Sequence, residues 1–493
     1  YHPETTTPGV VEQDPAAVRS RLAPNGGRDR ARATDGADAP ARGSASAATS
    51  RSQQPAPEAP RAGGIASLAS ASPAVLSAER APSPRFERIA LSCGATLLFK
   101  RRPALPVASL SAVLHAGTSY ENAHTNGLSC LTQRSMVKGT ARRTSEQIAH
   151  ESEFYGASIA PLYGHDSCGF SFSTTTRFFD RAFDVFADVI QNPAFPEPEV
   201  ERERSLILAE IAQVEDEPFE KAGLEFQKAL FASDPYGLPA SGTAESMGSL
   251  SLAELRPWYE RFHRVGNLLF TAAGDLDGDA IAAQIDSAFA GFRPGGAVLR
   301  EATAGAPAAA REIVIERDVN QAVIVLGLRG PAIVSPDRYA LFVMCSIMSG
   351  MGNRLFVEMR DKRSLCYYTG LFYRPMRRAG VIGAYVGTSP DKERVARETL
   401  VGELAKLIDE GVTDEEMERA KGAMIGHFAI GRQTNGAEAG LAARYELLGL
   451  GHEEIERYEE RVLAVTRDEV RAAAQRWLAI DRLTIAVVRP RTG

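Results

Sequence analysis

A twelve-residue segment occurs twice in this chain, 215 positions apart. Ser251 to Phe262 (SLAELRPWYERF) aligns without gaps on Thr466 to Trp477 (TRDEVRAAAQRW). Both copies open on a hydroxyl followed three residues later by Glu, the capping-box signature of a helix start. Val200-Glu-Arg likewise matches Met417-Glu-Arg at an offset of 217. Two similar amphipathic helices would explain one such pair; two pairs at nearly one offset point to an internal repeat. A chain built this way folds as two halves of one architecture.

Periodicity along the chain supports two halves. Ile89, Leu91, Leu97 and Phe99 around Cys93-Gly94 predict a hairpin, and Val107 to His115 a strand. Helices are predicted at 127–137, 145–155, 181–191, 197–215 and 251–262, with two strands between 158 and 175 and one at 268–273. The order then returns: strands at 313–315 and 322–328, a helix at 337–349, strands at 367–373 and 381–387, helices at 392–410, 414–431 and 467–478, and a strand at 483–488. The expected fold is therefore α+β, with two homologous sandwich-like halves, each a mostly antiparallel sheet covered by helices on one face. Expected boundaries are 86–292 and 312–490, joined by a Gly- and Ala-rich linker at 293–311. Residues 1–85, rich in Ala, Pro, Arg, Gly and Ser, read as a disordered tail, because they lack the apolar surface that would offset chain entropy.

Composition narrows the function. The net charge is −6 over 493 residues. Beyond residue 85 there remain 46 Lys and Arg against 54 Asp and Glu, which argues against nucleic acid as a partner. No run of eighteen apolar residues predicts a membrane span. The five cysteines (93, 130, 168, 345, 366) have no C-x-x-C spacing, so neither a disulfide framework nor a zinc ribbon is expected.

Two segments carry possible chemistry. In Met351 to Gly370, Leu355, Phe356 and Met359 have helical spacing, then Tyr367, Tyr368 and Thr369 favour a strand. Arg360 and Tyr367 thus flank a turn; alone, the pair reads as a solvated Arg and a half-buried Tyr. The other segment is Gly127-Leu-Ser-Cys-Leu-Thr-Gln-Arg-Ser-Met-Val-Lys-Gly-Thr140. Together with the repeat, these segments resemble the insulinase-like zinc metallopeptidases of the pitrilysin, insulysin and mitochondrial processing peptidase type, over about residues 86–490. Arg360-Asp-Lys-Arg-Ser-Leu-Cys-Tyr367 matches that family's Arg-Glu-Lys-x-Gly-Leu-x-Tyr, with Asp361 for Glu and Ser364 for Gly. The second segment aligns with Gly-Leu-Ala-His-Leu-Leu-Glu-His-Met-x-Phe-Lys-Gly-Thr.

In such peptidases the two His of His-x-x-Glu-His share a helix face and bind zinc, and the Glu activates its water. The resemblance puts Cys130 at the first His, Gln133 at the base and Arg134 at the second His. The late Glu ligand falls on Glu210, and Glu203 is a second family acidic position. Gln is no carboxylate base and Arg no zinc ligand, so no metal is expected in this chain, and Arg134 is expected to pair with Glu210 and Glu203 in place of the ion. Arg360 and Tyr367 are implied to act in trans: Tyr367 donates to the substrate carbonyl as it becomes tetrahedral, and Arg360 binds substrate or orients Tyr367.

The resemblance implies a non-catalytic subunit, inactive alone, in a heterodimer with a homologous zinc-bearing peptidase subunit. Zinc is expected in that partner only. A peptide or unfolded segment would add as a strand beside Ala157 to Leu162. Bacterial relatives of this split type are often periplasmic. One alternative is a structural or assembly protein of the same fold with no peptidase role. Another is an enzyme with Cys130 or Cys366 as nucleophile, although no His lies near Cys366 in sequence to activate it.

Overall fold

The computed structural model describes residues 11–12, 85–300 and 310–491. Apart from Val11–Glu12, the predicted tail lies outside the described residues. Val11–Glu12 (β1) pairs antiparallel with Ile313 and Val314. The first half carries strands β2 (Glu87–Ala90), β3 (Thr96–Arg101), β4 (Val107–His115), β5 (Ser158–Tyr163), β6 (Ser167–Thr175) and β7 (Leu268–Gly274). Its helices are α1 (Leu128–Met136), α2 (Ser145–Phe154), α3 (Phe179–Gln191), α4 (Glu197–Asp216), α5 (Pro218–Phe231), α6 (Ala244–Ser249), α7 (Leu252–Phe262) and α8 (Gly278–Phe289). The second half has β8 (Arg311–Arg317), β9 (Ala322–Gly330), β10 (Tyr368–Pro375), β11 (Gly380–Thr388) and β12 (Thr484–Pro490). Its helices are α9 (Arg338–Met348), α10 (Arg354–Phe356), α11 (Glu393–Glu410), α12 (Asp414–Gly431), α13 (Asn435–Leu447), α14 (Glu454–Ala464) and α15 (Arg467–Trp477).

The sheet orders are β2-β3-β7-β4-β6-β5 and β1-β8-β12-β9-β11-β10. Strand for strand they are the same path. Each has one parallel pair, β3 with β7 and β8 with β12, and is otherwise antiparallel. The two capping boxes that flag the repeat both form: Ser251 N–H donates to Glu254 at 2.8 Å and Thr466 N–H to Glu469 at 2.8 Å.

Alternation in the strands divides each sheet into two faces. On one, Leu110, Ala112, Leu114, Phe170 and Phe172 meet the half's own helices in the first core; Ile324, Leu326, Ile382 and Ala384 do so in the second. The opposite face receives a helix from the other half. Ala222, Phe226 and Leu230 of α5 pack on Val323, Val325, Val381 and Val488 of the second sheet. Reciprocally, Ala442, Ala443 and Leu447 of α13 pack on Leu98, Val113 and Leu269 of the first. Lys100 of β3, itself buried, bonds Glu438 of α13 at 3.3 Å across this contact.

The sequence reading has no helix at α5, α8, α13 or α14, and so no exchange between halves. Residues 293–300, read as the start of a free linker, run along the first half. The Val265 amide bonds the Arg293 carbonyl at 2.9 Å, and Tyr120 donates to the Val298 carbonyl at 2.6 Å. Residues 301–309 lie outside the described residues.

Candidate functional site

Helix α1 is preceded by Gly127, whose φ of 93° suits a residue without Cβ. Its first N–H groups, which have no carbonyl one turn back, are capped from outside the helix. The buried Glu121 carboxylate accepts from the amides of Gly127 at 2.9 Å and Ser129 at 2.8 Å and from Asn126 Nδ2 at 3.0 Å. Burial raises its pKa against the pull of these donors. The sequence reading missed Glu121, whose signal is a carboxylate just ahead of a helix that lacks a Ser, Thr or Asp cap.

In the last turn of α1, Arg134 points at α4. Its Nε lies 2.9 Å from Glu203 Oε2 and its Nη1 2.6 Å from Glu210 Oε2. These carboxylates are seven residues apart on one helix face, so a single planar guanidinium spans both. Lys138 Nζ, 2.9 Å away, takes the other oxygen of Glu203. Glu203 is only 4% exposed. Burial alone would raise its pKa, but the hydrogen bonds from Lys138 and Arg134 outweigh that and hold it below the usual carboxylate range. For Arg134 burial opposes the charge, and Glu210 and Glu203 reverse this and keep the guanidinium protonated. Glu210 borders a cavity of about 400 Å³ with Ile211, Leu224 and Pro239 on its wall.

The other two motif positions face elsewhere. Cys130 is fully buried, and burial pushes its thiol up to about 12. Gln133 does not join Arg134 and the carboxylates. It turns into the core, where its Nε2 lies 3.1 Å from Nε2 of the buried His263. His263 Nδ1 sits 3.3 Å from the Tyr259 carbonyl, which assigns the proton to Nδ1 and leaves Nε2 to accept from Gln133. Burial holds this imidazole neutral, with its pKa lowered to about 3. These residues do not fit zinc. A protonated guanidinium stands between the carboxylates, and neither Arg134 nor Gln133 offers a metal donor of the required kind.

The second segment ends differently. Leu355 and Met359 are buried as their spacing predicts, but α10 is one α-turn that widens into a π-turn over Val357–Asp361. Lys362 N–H reaches back five residues to the Val357 carbonyl at 3.0 Å. Such an inserted residue re-aims the side chains that follow. Arg360 emerges exposed, its guanidinium 4.8 Å over the Phe356 ring and its Nη1 3.3 Å from the Tyr367 carbonyl. Tyr367 precedes β10 rather than starting it. Its amide donates to the Gly387 carbonyl at 2.8 Å, while its side chain is 59% exposed. Ser364, where the family pattern has Gly, takes a φ of 49°.

The structure thus gathers Arg134, Glu203 and Glu210 in one place and Arg360 with Tyr367 in another. Among the described residues no hydrogen bond or ion pair joins the two groups. Cys366 is buried and its thiol pKa raised, mainly by burial, so neither it nor Cys130 is an activated nucleophile. Strands β5 and β10 are the outer strands of their sheets. No helix of the described residues is long and apolar enough to cross a membrane.

Two family models match: insulinase (peptidase family M16) over residues 97–244, and the peptidase M16 inactive domain over residues 249–424. An uncharacterized zinc protease of Rickettsia felis is 28% identical over 335 residues, 67% of this chain and 80% of that one. Another, from Streptomyces coelicolor, is 27% identical over 413 residues, covering 82% and 89%. A crystal structure described as a peptidase M16 inactive domain from Pseudomonas fluorescens superposes with a TM-score of 0.77 at 25% identity, covering 83% of this chain and 99% of that one.

Proposed function

The chain belongs to the insulinase family, peptidase family M16, and from that premise we propose that it is a non-catalytic subunit of a heteromeric zinc peptidase. It pairs with a zinc-bearing homologue and lends that partner Arg360 and Tyr367. The observation that carries this reading is the contrast in partners. The zinc-motif position Arg134 is consumed by two carboxylates of its own chain, whereas the side chains of Arg360 and Tyr367 face solvent.

The local geometry suits such a role. The Tyr367 backbone is pinned to β11 while its hydroxyl is free to donate to a peptide carbonyl gaining negative charge. Arg360 is steadied by Phe356 and one carbonyl, which leaves guanidinium N–H groups for substrate. A substrate strand on the open edge of β5 would take main-chain hydrogen bonds there. Zinc, held by the partner, supplies the Lewis acid.

The test is peptide hydrolysis by this chain, by the zinc-bearing homologue, and by both mixed. Activity should appear only in the mixture. Tyr367→Phe should lower its kcat on the order of a hundredfold, with Arg360→Ala raising KM or lowering kcat. A homologue indifferent to this chain would instead support an assembly protein. Chelator-sensitive activity from this chain alone would overturn the reading of Cys130, Gln133 and Arg134.

A further inference from the structure

The face of the first sheet that receives α13 is built unlike its counterpart. Register puts Ser158, Ser173 and Ser109 in one row across β5, β6 and β4. The next row is Ala160, Ser171 and Ser111, continued by Thr271 of β7. Paired residues of an antiparallel ladder share a face, so these hydroxyls form two parallel lines. The corresponding face of the second sheet is apolar (Val323, Val325, Val381, Val488) and is filled by Phe226 and Leu230 of α5. The fold therefore does not require hydroxyls here.

They open into a groove of about 640 Å³ that ends on the first turn of α13. Ser109 and Ser111 line it, 5% and 4% exposed, and neither hydroxyl has a hydrogen-bond partner among the described residues. Ser109 Oγ lies 3.7 Å from where a Cβ on Gly436 would sit, so it faces the helix start. In α13 the amides of Ala437 and Glu438 are taken by Thr434, each at 3.1 Å. Those of Asn435 and Gly436 have no carbonyl one turn back to bond. Asn435 Nδ2 fixes this turn to the Val107 carbonyl of β4 at 2.9 Å.

The charges agree in sign. Arg102 lines the groove; its Nη2 donates to the Gln433 carbonyl at 3.3 Å, and its Nη1 is buried with no hydrogen-bond partner among the described residues. Among the described residues no carboxylate lines it, and Glu438 is engaged by Lys100 and by Arg432 at 3.1 Å. Hydroxyls from a sheet face, the amides of a helix start and a guanidinium thus converge with no negative charge among the described lining residues, the composition of an anion site. The cavity exceeds a bare ion, and Leu105, Val107 and Phe172 supply an apolar wall.

We propose that this groove between β4, β6 and the start of α13 binds an organic oxyanion, a carboxylate or phosphate group on an apolar body, bonded by Ser109, Ser111, the first turn of α13 and Arg102. The site stands apart from Arg360 and Tyr367 and does not depend on their role. Titration calorimetry of the full chain at low ionic strength tests it, with phenyl phosphate, phenylacetate and inorganic phosphate as probes. Saturable binding of either aromatic probe is expected, weakened at least fivefold in the Ser109→Ala/Ser111→Ala double variant and, separately, in Arg102→Gln. Tighter binding of phenyl phosphate would assign a phosphate ester, and of phenylacetate a carboxylate. Inorganic phosphate binding as tightly as both would overturn the organic part of the assignment. Absence of binding, or binding unchanged in both variants with native circular dichroism, would overturn the site.

Discussion

Arg134 and Arg360 sit in opposite halves, and the chain treats them oppositely. Arg134 is clamped between Glu203 and Glu210, with Lys138 completing a cluster built around the buried Glu203. Arg360 has a ring beneath it and a single carbonyl beside it. The first arrangement satisfies every charge internally, so its contribution is to folding. The second leaves donors unused, so removing it costs the fold little. A cationic side chain in itself signals neither role; the partners decide.

That contrast can be broken most severely at Arg134. Arg134→Ala leaves the buried Glu203 with Lys138 as its one cationic partner and should cost about 2 kcal/mol, read from urea denaturation. The same measurement on Arg360→Ala should show a much smaller loss. Next comes acid sensitivity. Because the folded pKa of Glu203 is depressed, its contribution is complete above the unfolded carboxylate range near 4.3 and is lost as pH falls through the folded value. The denaturation midpoint should therefore drop in that acid window, and Lys138→Met should flatten the drop.

Smaller effects sharpen the other side. Ser364 spends left-handed backbone strain in the turn that carries Arg360. Ser364→Gly should raise stability by up to about 1 kcal/mol, visible as a higher thermal midpoint. Smallest of all, Tyr367→Phe should shift stability by no more than about 0.5 kcal/mol. A larger loss would mean that the hydroxyl serves this chain's own fold.

The repeat, most elements and the Arg134 pairing are legible in sequence because each has a local or fixed-spacing signature. Capping boxes announce α7 and α15, and the span from Arg134 to Glu210 follows the family's ligand spacing. Gln133 is illegible for the converse reason: its partner, His263, is 130 residues away and carries no pattern linking them. The exchanged helices are missed on composition and placement. The buried face of Asn435 to Leu447 is Glu438, Ala439, Ala442, Ala443 and Leu447, three alanines with a carboxylate and one large apolar side chain, so it shows no apolar stripe. Pro218 opens α5 one residue after α4 stops, so the two run together. The π-turn at Val357–Asp361 also lacks a sequence mark, since its extra residue shows only in the backbone.

The exchange of α5 and α13 bears on what happens if the polypeptide is cut. A nick between Arg300 and Arg311 leaves each fragment holding the helix that roofs the other's sheet. Separation would strip Phe226, Leu230 and Leu447 from their seats and expose Lys100 without Glu438. The fragments should stay bound through purification and melt as one unit. Expressed separately and mixed, they should reconstitute each other, as two clasped hands hold without a cord between the wrists.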